Sequence, residues 1–213
     1  MFVKDRMTVN PLTTTENTPI LEAGELMRKN KFARLPVVRD GKIVGIITEE
    51  DLLKVSPSMA TTLSVWELNY VLSRLLVKEA MTKNPVVISS EATLEEAALL
   101  MHTKNVGALP VVDQDNLVGI ITESDIFASF LDLMGLKQTG TRLTIEFEDR
   151  IGAIADITEV IKGMGVNIVS LALFHRNNTL GELVLRLESA NSDDLVRKIQ
   201  DKGYRVVHVA TWK

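Results

Sequence analysis

The chain has 213 residues, 46% of them hydrophobic and 24% charged, which suits a globular protein of two modest domains or of a tandem repeat plus one small domain. Its net charge of −4 provides no basic field to draw it to DNA or to an anionic membrane, and the absence of cysteine excludes disulfides and thiolate metal sites. No apolar run approaches the ~20 residues of a bilayer span, and Met1-Phe2-Val3-Lys4-Asp5-Arg6 lacks the apolar core of a signal peptide, so a cytoplasmic location is expected.

In chain order, Leu12 to Thr15 reads as a short strand after Pro11. Thr18-Pro19 reads as an N-cap followed by proline at the first helical position, with the helix running to about Lys29. Leu35 to Val38 is a strand, Arg39-Asp40-Gly41-Lys42 has hairpin-turn chemistry, and Ile43 to Ile47 is the return strand. Thr48 caps a helix that stops before Pro57. Residues 55–64 read as a linker. Val65, Leu68, Val71, Leu72 and Leu75 share one face of a packing helix that reaches Val77.

The plan then repeats: strand 86–89, helix 93–104, strand 109–112, turn Asp113-Gln114-Asp115-Asn116, strand 117–121, and a helix from Thr122 to Met134 that Gly135 can end. The repeat is written into the residues. Val44-Gly45-Ile46-Ile47-Thr48-Glu49-Glu50-Asp51-Leu52 returns 74 positions later as Val118-Gly119-Ile120-Ile121-Thr122-Glu123-Ser124-Asp125-Ile126. The same offset pairs Met7-Thr8 with Met81-Thr82, Asn10-Pro11 with Asn84-Pro85, and Leu35-Pro36-Val37-Val38 with Leu109-Pro110-Val111-Val112. A register kept that long marks a duplicated structural unit. The divisions follow as 1–54 for repeat one, 55–76 for linker and packing helix, 77–134 for repeat two, 135–140 for a second linker and 141–213 for a further domain.

Residues 141–213 have a different grammar. Leu143, Ile145 and Phe147 alternate with polar residues as in a half-buried strand, and Asp149-Arg150-Ile151-Gly152 is a turn. A helix follows over about 153–162, then strands 166–174 and 180–187 about Asn177-Asn178, a helix 193–201 and a strand 204–210. The order β-α-β-β-α-β is the ferredoxin-like plan.

Met-Thr-x-Asn-Pro, Leu-Pro-Val-Val and Gly-Ile-Ile-Thr-x-x-Asp, in that order and twice, resemble the two halves of a CBS pair, or Bateman module, over about residues 1–134. Asp149-Arg150-Ile151-Gly152 before a helix, with Gly165-Val166-Asn167-Ile168 entering a strand, resembles an ACT domain. The combination, with Trp66-Glu67-Leu68-Asn69-Tyr70 between the repeats, resembles acetoin-utilisation proteins of the AcuB type. The resemblance implies an α+β protein: tandem CBS units followed by a ferredoxin-like ACT domain. It implies a homodimer that senses adenine nucleotides or a related adenosyl compound and binds an amino acid at the ACT domain, while the charge and hydropathy already lead us to expect neither a nucleic-acid nor a membrane partner.

Thr48 and Asp51, like Thr122 and Asp125, lie three apart at a helix start and share one face. Backbone N–H groups there attract a phosphate, to which the threonine hydroxyl can donate, while the aspartate accepts from vicinal ribose hydroxyls. The same residues also spell a capping box, which needs no ligand. The resemblance implies nucleotide contacts at Thr14, Arg34, Leu35, Pro36, Thr48 and Asp51, and at Ile88, Ala108, Leu109, Pro110, Thr122 and Asp125. Arg28, Lys29, Lys31, Arg34, Arg39 and Lys42 have no basic counterpart in repeat two, so repeat one is expected to hold the more phosphorylated ligand, although Glu49 and Glu50 oppose this. ACT-domain likeness implies ligand contacts at Asp149, Arg150, Gly152 and Asn167 at a subunit interface. His102, His175 and His208 form no ligand-spaced motif, so neither a metal, a required cofactor nor catalysis is expected. The other reading is an oligomerisation module with vestigial ligand sites; an enzyme of acetoin metabolism has least support.

Overall fold

Strands β2 (Arg34–Arg39) and β3 (Lys42–Thr48) pair antiparallel because their β-branched residues flank a turn whose two central residues, Asp40 and Gly41, both take positive φ, 52° and 79°. The computed structural model describes residues 1–55, 73–176, 179–189 and 192–212. Its contacts divide the chain into two units, Met1–Ile126 and Phe127–Lys213. The expected packing helix over 65–77 lies mostly outside the described residues.

In the first unit the hairpin follows helix α1 (Ile20–Asn30) and leads into α2 (Glu49–Val55). The second copy is α4 (Leu94–Lys104), β5 (Ala108–Asp113), β6 (Asn116–Thr122) and α5 (Glu123–Leu133), the last of which runs past Ile126 into the second unit. The strands expected at 12–15 and 86–89 reduce to single parallel bridges, Thr14 to Val37 and Ile88 to Val111. Thr18 does not cap α1. Pro19 holds that position, and the Thr18 hydroxyl instead accepts from the Thr15 N–H at 3.3 Å.

The segments that open each repeat are exchanged. β1 (Thr8–Val9) pairs with β6 of repeat two, and β4 (Thr82–Lys83), which follows the short helix α3 (Val77–Ala80), pairs with β3 of repeat one. Val3 is fully buried in the repeat-two core with Leu109, Val111 and Ile121, while Val77 and Met81 complete the repeat-one core with Leu35, Val37 and Ile47. The repeated glycines permit this. A Cβ on Gly119 would stand 2.5 Å from Met7 Sδ and 3.1 Å from the Thr8 carbonyl, and one on Gly45 would meet Met81 and Thr82 at the same distances.

The second unit has the βαββαβ order. It comprises β7 (Gly140–Glu148), α6 (Ala153–Gly163), β8 (Ile168–His175), β9 (Leu180–Leu187), α7 (Asp193–Asp201) and β10 (Arg205–Trp212). The antiparallel sheet runs β10-β7-β9-β8. Leu143, Ile145, Phe147, Leu183, Leu185 and Leu187 alternate onto the face that buries Ile157 and Ile161 of α6 and Leu195 and Ile199 of α7.

Candidate functional site

Each Thr-x-x-Asp sits where a β-branched strand opens into a helix. The Thr48 hydroxyl donates to Asp51 Oδ2 at 2.7 Å, the Thr48 N–H donates to the same oxygen at 3.0 Å, and the Asp51 N–H donates back to Thr48 Oγ1 at 3.2 Å. Thr122 and Asp125 repeat the pattern at 2.7, 2.8 and 3.4 Å. These are reciprocal capping boxes. The threonine hydroxyl thus donates to the aspartate, as the capping-box reading of the spacing expects.

Both boxes border clefts. The first, about 330 Å³, combines Thr122, Glu123 and Asp125 with Pro11, Leu12, Lys31, Arg34 and Pro36 of repeat one. The second, about 540 Å³, combines Thr48, Glu49, Glu50 and Asp51 with Asn84, Pro85, Val86, Asn105 and Ala108 of repeat two. Each cleft thus takes its helix start from one repeat and its Asn-Pro segment from the other. Local chemistry explains the arrangement. After β1 or β4 has paired across, Asn10 and Asn84 adopt left-handed φ of 49° and 48°, each donating its N–H to the partner hairpin at 3.2 Å, and the following proline turns into the cleft.

The expected walls are therefore redistributed. Leu35 and Leu109 are fully buried core residues and line neither of these two clefts. Thr14 and Ile88 are buried where their backbones bridge Val37 and Val111. Pro36 lines the cleft of Thr122 and Asp125, not that of its own repeat, and Pro110 is buried in its sheet, where its carbonyl accepts from the Ile88 N–H. Gly107, Pro11 and Leu12 were not among the expected contacts, although the repeated Asn-Pro was the available signal for the latter two.

Of the six cations of repeat one, Arg34 is the one that lines the cleft of Thr48 and Asp51. Arg39 pairs with Glu16, its Nε donating at 2.7 Å, and Lys42 pairs with Asp115 at 3.5 Å. Lys31 lines only the first cleft. Arg34 borders both, with its guanidinium close enough to Gly107 that a Cβ there would lie 3.1 Å from Nη1 and 3.2 Å from Glu123 Oε2. Neither side chain makes an ion pair or hydrogen bond among the described residues. The second cleft is more acidic: Glu50 reaches Lys54 at 3.0 Å, and Asp51 Oδ1 lies 3.9 Å from the same ammonium.

The four ACT-type candidates do not converge within one chain. Asp149 lies 3.3 Å from His175 Nε2. The Arg150 guanidinium donates to Asp156 at 2.6 Å and to the Tyr204 hydroxyl at 2.9 Å, while Tyr204 donates to Asp156 at 2.8 Å. Tyr204 and Arg150 together hold the Asp156 carboxyl below its usual range. Gly152, at φ 93°, is the N-cap of α6. Asn167 donates to Glu188 at 3.1 Å, beside the start of β7, whereas Asp149 to Gly152 follow its end.

Comparison with known proteins bears on these clefts. The CBS domain model matches residues 3–58 and 77–132. The chain belongs to the CBS-domain family. A TTHA0829-like ACT domain model matches residues 139–210, so this CBS pair is followed by an ACT domain in an α+β chain. Among solved structures, CBSX2 of Arabidopsis thaliana in complex with AMP is 33% identical, with 61% of this chain and 96% of that one covered at a TM-score of 0.52. The CBS pair of MJ0100, in complex with 5′-methylthioadenosine and S-adenosyl-L-methionine, is 30% identical, with 65% and 98% covered at 0.51. A Vibrio cholerae protein assigned by name to acetoin utilization, AcuB, is 30% identical, with 64% and 95% covered at 0.53. Among the described residues no helix is long and apolar enough to cross a membrane.

Proposed function

We propose that this CBS pair senses adenine nucleotides or related adenosyl compounds, and that the chain is a regulator and not a catalyst. The observation carrying this reading is the paired clefts, each joining a Thr-x-x-Asp helix start to the other repeat's Asn-Pro segment. Structural relatives that hold AMP, or methylthioadenosine and S-adenosylmethionine, support the ligand class. In this reading Asp51 and Asp125 accept ribose hydroxyls. Pro11, Leu12 and Pro36 flank the base in the first cleft. Lys31 and Arg34 meet phosphate there, so the more phosphorylated ligand belongs with Thr122 and Asp125. The second cleft, with Glu49, Glu50 and Asp51, suits a less anionic compound.

Asp125 lies in the first turn of α5, within which the chain passes between the units, giving ligand state a covalent route to the ACT domain. The ligand shifts that domain only by its differential affinity for the two states. An amino-acid site that uses both Asp149 to Gly152 and Asn167 needs a second copy, which favours a homodimer. Cytoplasmic placement and a role in acetoin utilisation complete the proposal, the latter supported by likeness to AcuB. The complete capping boxes favour one alternative, an oligomerisation module in which these residues only start helices.

The test is titration of the intact protein with AMP, ATP, methylthioadenosine and S-adenosylmethionine, repeated for Asp51→Ala, Asp125→Ala and Arg34→Ala. The sensor reading expects saturable binding, lost cleft by cleft in the aspartate variants, with ATP weakened more than methylthioadenosine by Arg34→Ala. No binding by a folded protein supports the oligomerisation module.

A further inference from the structure

The open face of the second unit's sheet carries a cluster that neither the CBS clefts nor the expected amino-acid site uses. Arg142 on β7 and Arg186 on β9 stand directly opposite each other in register, with Ser170 of β8 next in the same row. Like charges facing across adjacent strands repel. Here the repulsion is aggravated by burial, since Arg186 is only 4% exposed. Burial first, and Arg142 second, lower the affinity of Arg186 for its proton.

These groups floor a cavity of about 160 Å³ whose apolar rim is Phe130, Met134 and Leu136, from the end of α5 and the residues after it. No acidic residue is among those lining it. The carboxylates Glu146 and Glu182 on the same face lie toward its other end, engaged by Arg176 and, for Glu146, also by Arg205. Asp132, on the neighbouring turn of α5, is paired with Lys137 at 2.7 Å. Arg142 Nη1 donates to Thr144 at 2.7 Å and lies 3.3 Å from His208 Nδ1, so its local partners are a hydroxyl and an imidazole, not a carboxylate.

We propose that this cavity binds a small aliphatic carboxylate lacking an ammonium group. Two guanidinium groups supply charge-assisted donors for one carboxylate, and the bound anion converts their repulsion into attraction. The apolar rim takes the short hydrocarbon end. A cavity of about 150 Å³ accommodates about six heavy atoms, the size of benzene. An α-amino acid is disfavoured because its ammonium would enter beside two arginines with no lining carboxylate to meet it.

Isobutyrate and L-alanine make the test sharp, since they differ by a methyl group against an ammonium on the same carbon skeleton. The intact protein is titrated calorimetrically with isobutyrate, isobutyramide and L-alanine. Saturable binding of isobutyrate, at least tenfold weaker binding of the other two, and at least a tenfold loss in Arg142→Gln are expected. Arg142→Lys should retain part of the affinity and serves if the glutamine variant misfolds. Absence of isobutyrate binding, equal binding of L-alanine, or an unaffected Arg142→Gln each overturns the proposal.

Discussion

Thr93 and Thr122 each start a helix with the same reciprocal box, yet only Thr122 borders a cleft. Removing either hydroxyl should cost the first unit about 1 kcal/mol, the usual worth of an N-cap. Urea unfolding checks this. Adenosyl-ligand affinity should separate them: Thr93→Ala should bind as the parent, and Thr122→Ala should bind more weakly because Asp125 loses the donor that orients it. Equal affinities would leave Thr122 as a cap alone. Asp156 offers a second residue-scale prediction. Its folded pKa is lowered by Tyr204 and Arg150, so its stabilising contribution is present above the unfolded carboxyl range, around 3.9, and is lost as pH falls through the folded value. The parent's second unit should lose stability over that acid window, and Asp156→Asn should flatten the dependence there, followed by near-ultraviolet circular dichroism during acid titration. At this scale the spacing Thr-x-x-Asp was legible, but its side-chain hydrogen bonds were not. Whether a hydroxyl faces a ligand or its own box depends on rotamers that spacing does not specify. Arg150 likewise gave no sign that Tyr204, far along the chain, would claim it.

Among elements, the exchanged strands β1 and β4 rest on the close approach at Gly119 and Gly45. A methyl group on Gly119 overlaps Met7, so Gly119→Ala should destabilise the first unit by about 1–3 kcal/mol, the usual cost of overpacking. Met7→Ala alone should also destabilise, by opening space. The double variant should be less unstable than the sum, with a favourable coupling of about 0.5–3 kcal/mol measured by a denaturant double-mutant cycle. Simple additivity would mean that Met7 moves aside at no cost. Hairpins β2-β3 and β5-β6 were readable because alternation and left-handed turn residues are local signals. The exchange was not, because a two-residue strand such as Thr8–Val9 carries no periodicity that names its partner. The walls of the clefts failed to be legible for the same reason: Pro36 and Thr122 meet only through long-range pairing.

At the scale of the whole molecule, the second unit's core shares no residue with either core of the first. Heating should therefore give two transitions that respond to different perturbations. Leu185 is fully buried between the sheet and helices of the second unit, and Leu185→Ala should cost about 2–5 kcal/mol there, lowering one transition. In the proposed reading, an adenosyl ligand in a CBS cleft at ~100 times its dissociation constant adds about 2.7 kcal/mol to the other, about 10 °C for a unit of that size. Differential scanning calorimetry of the parent and of Leu185→Ala, each with and without ligand, separates the effects. Because the proposed sensor couples its two units, the ligand-induced rise should be smaller in Leu185→Ala than in the parent. The size of that diminution is the coupling free energy between the CBS clefts and the ACT domain, and an identical rise in both proteins would show that the two units are uncoupled and count against the proposed sensor.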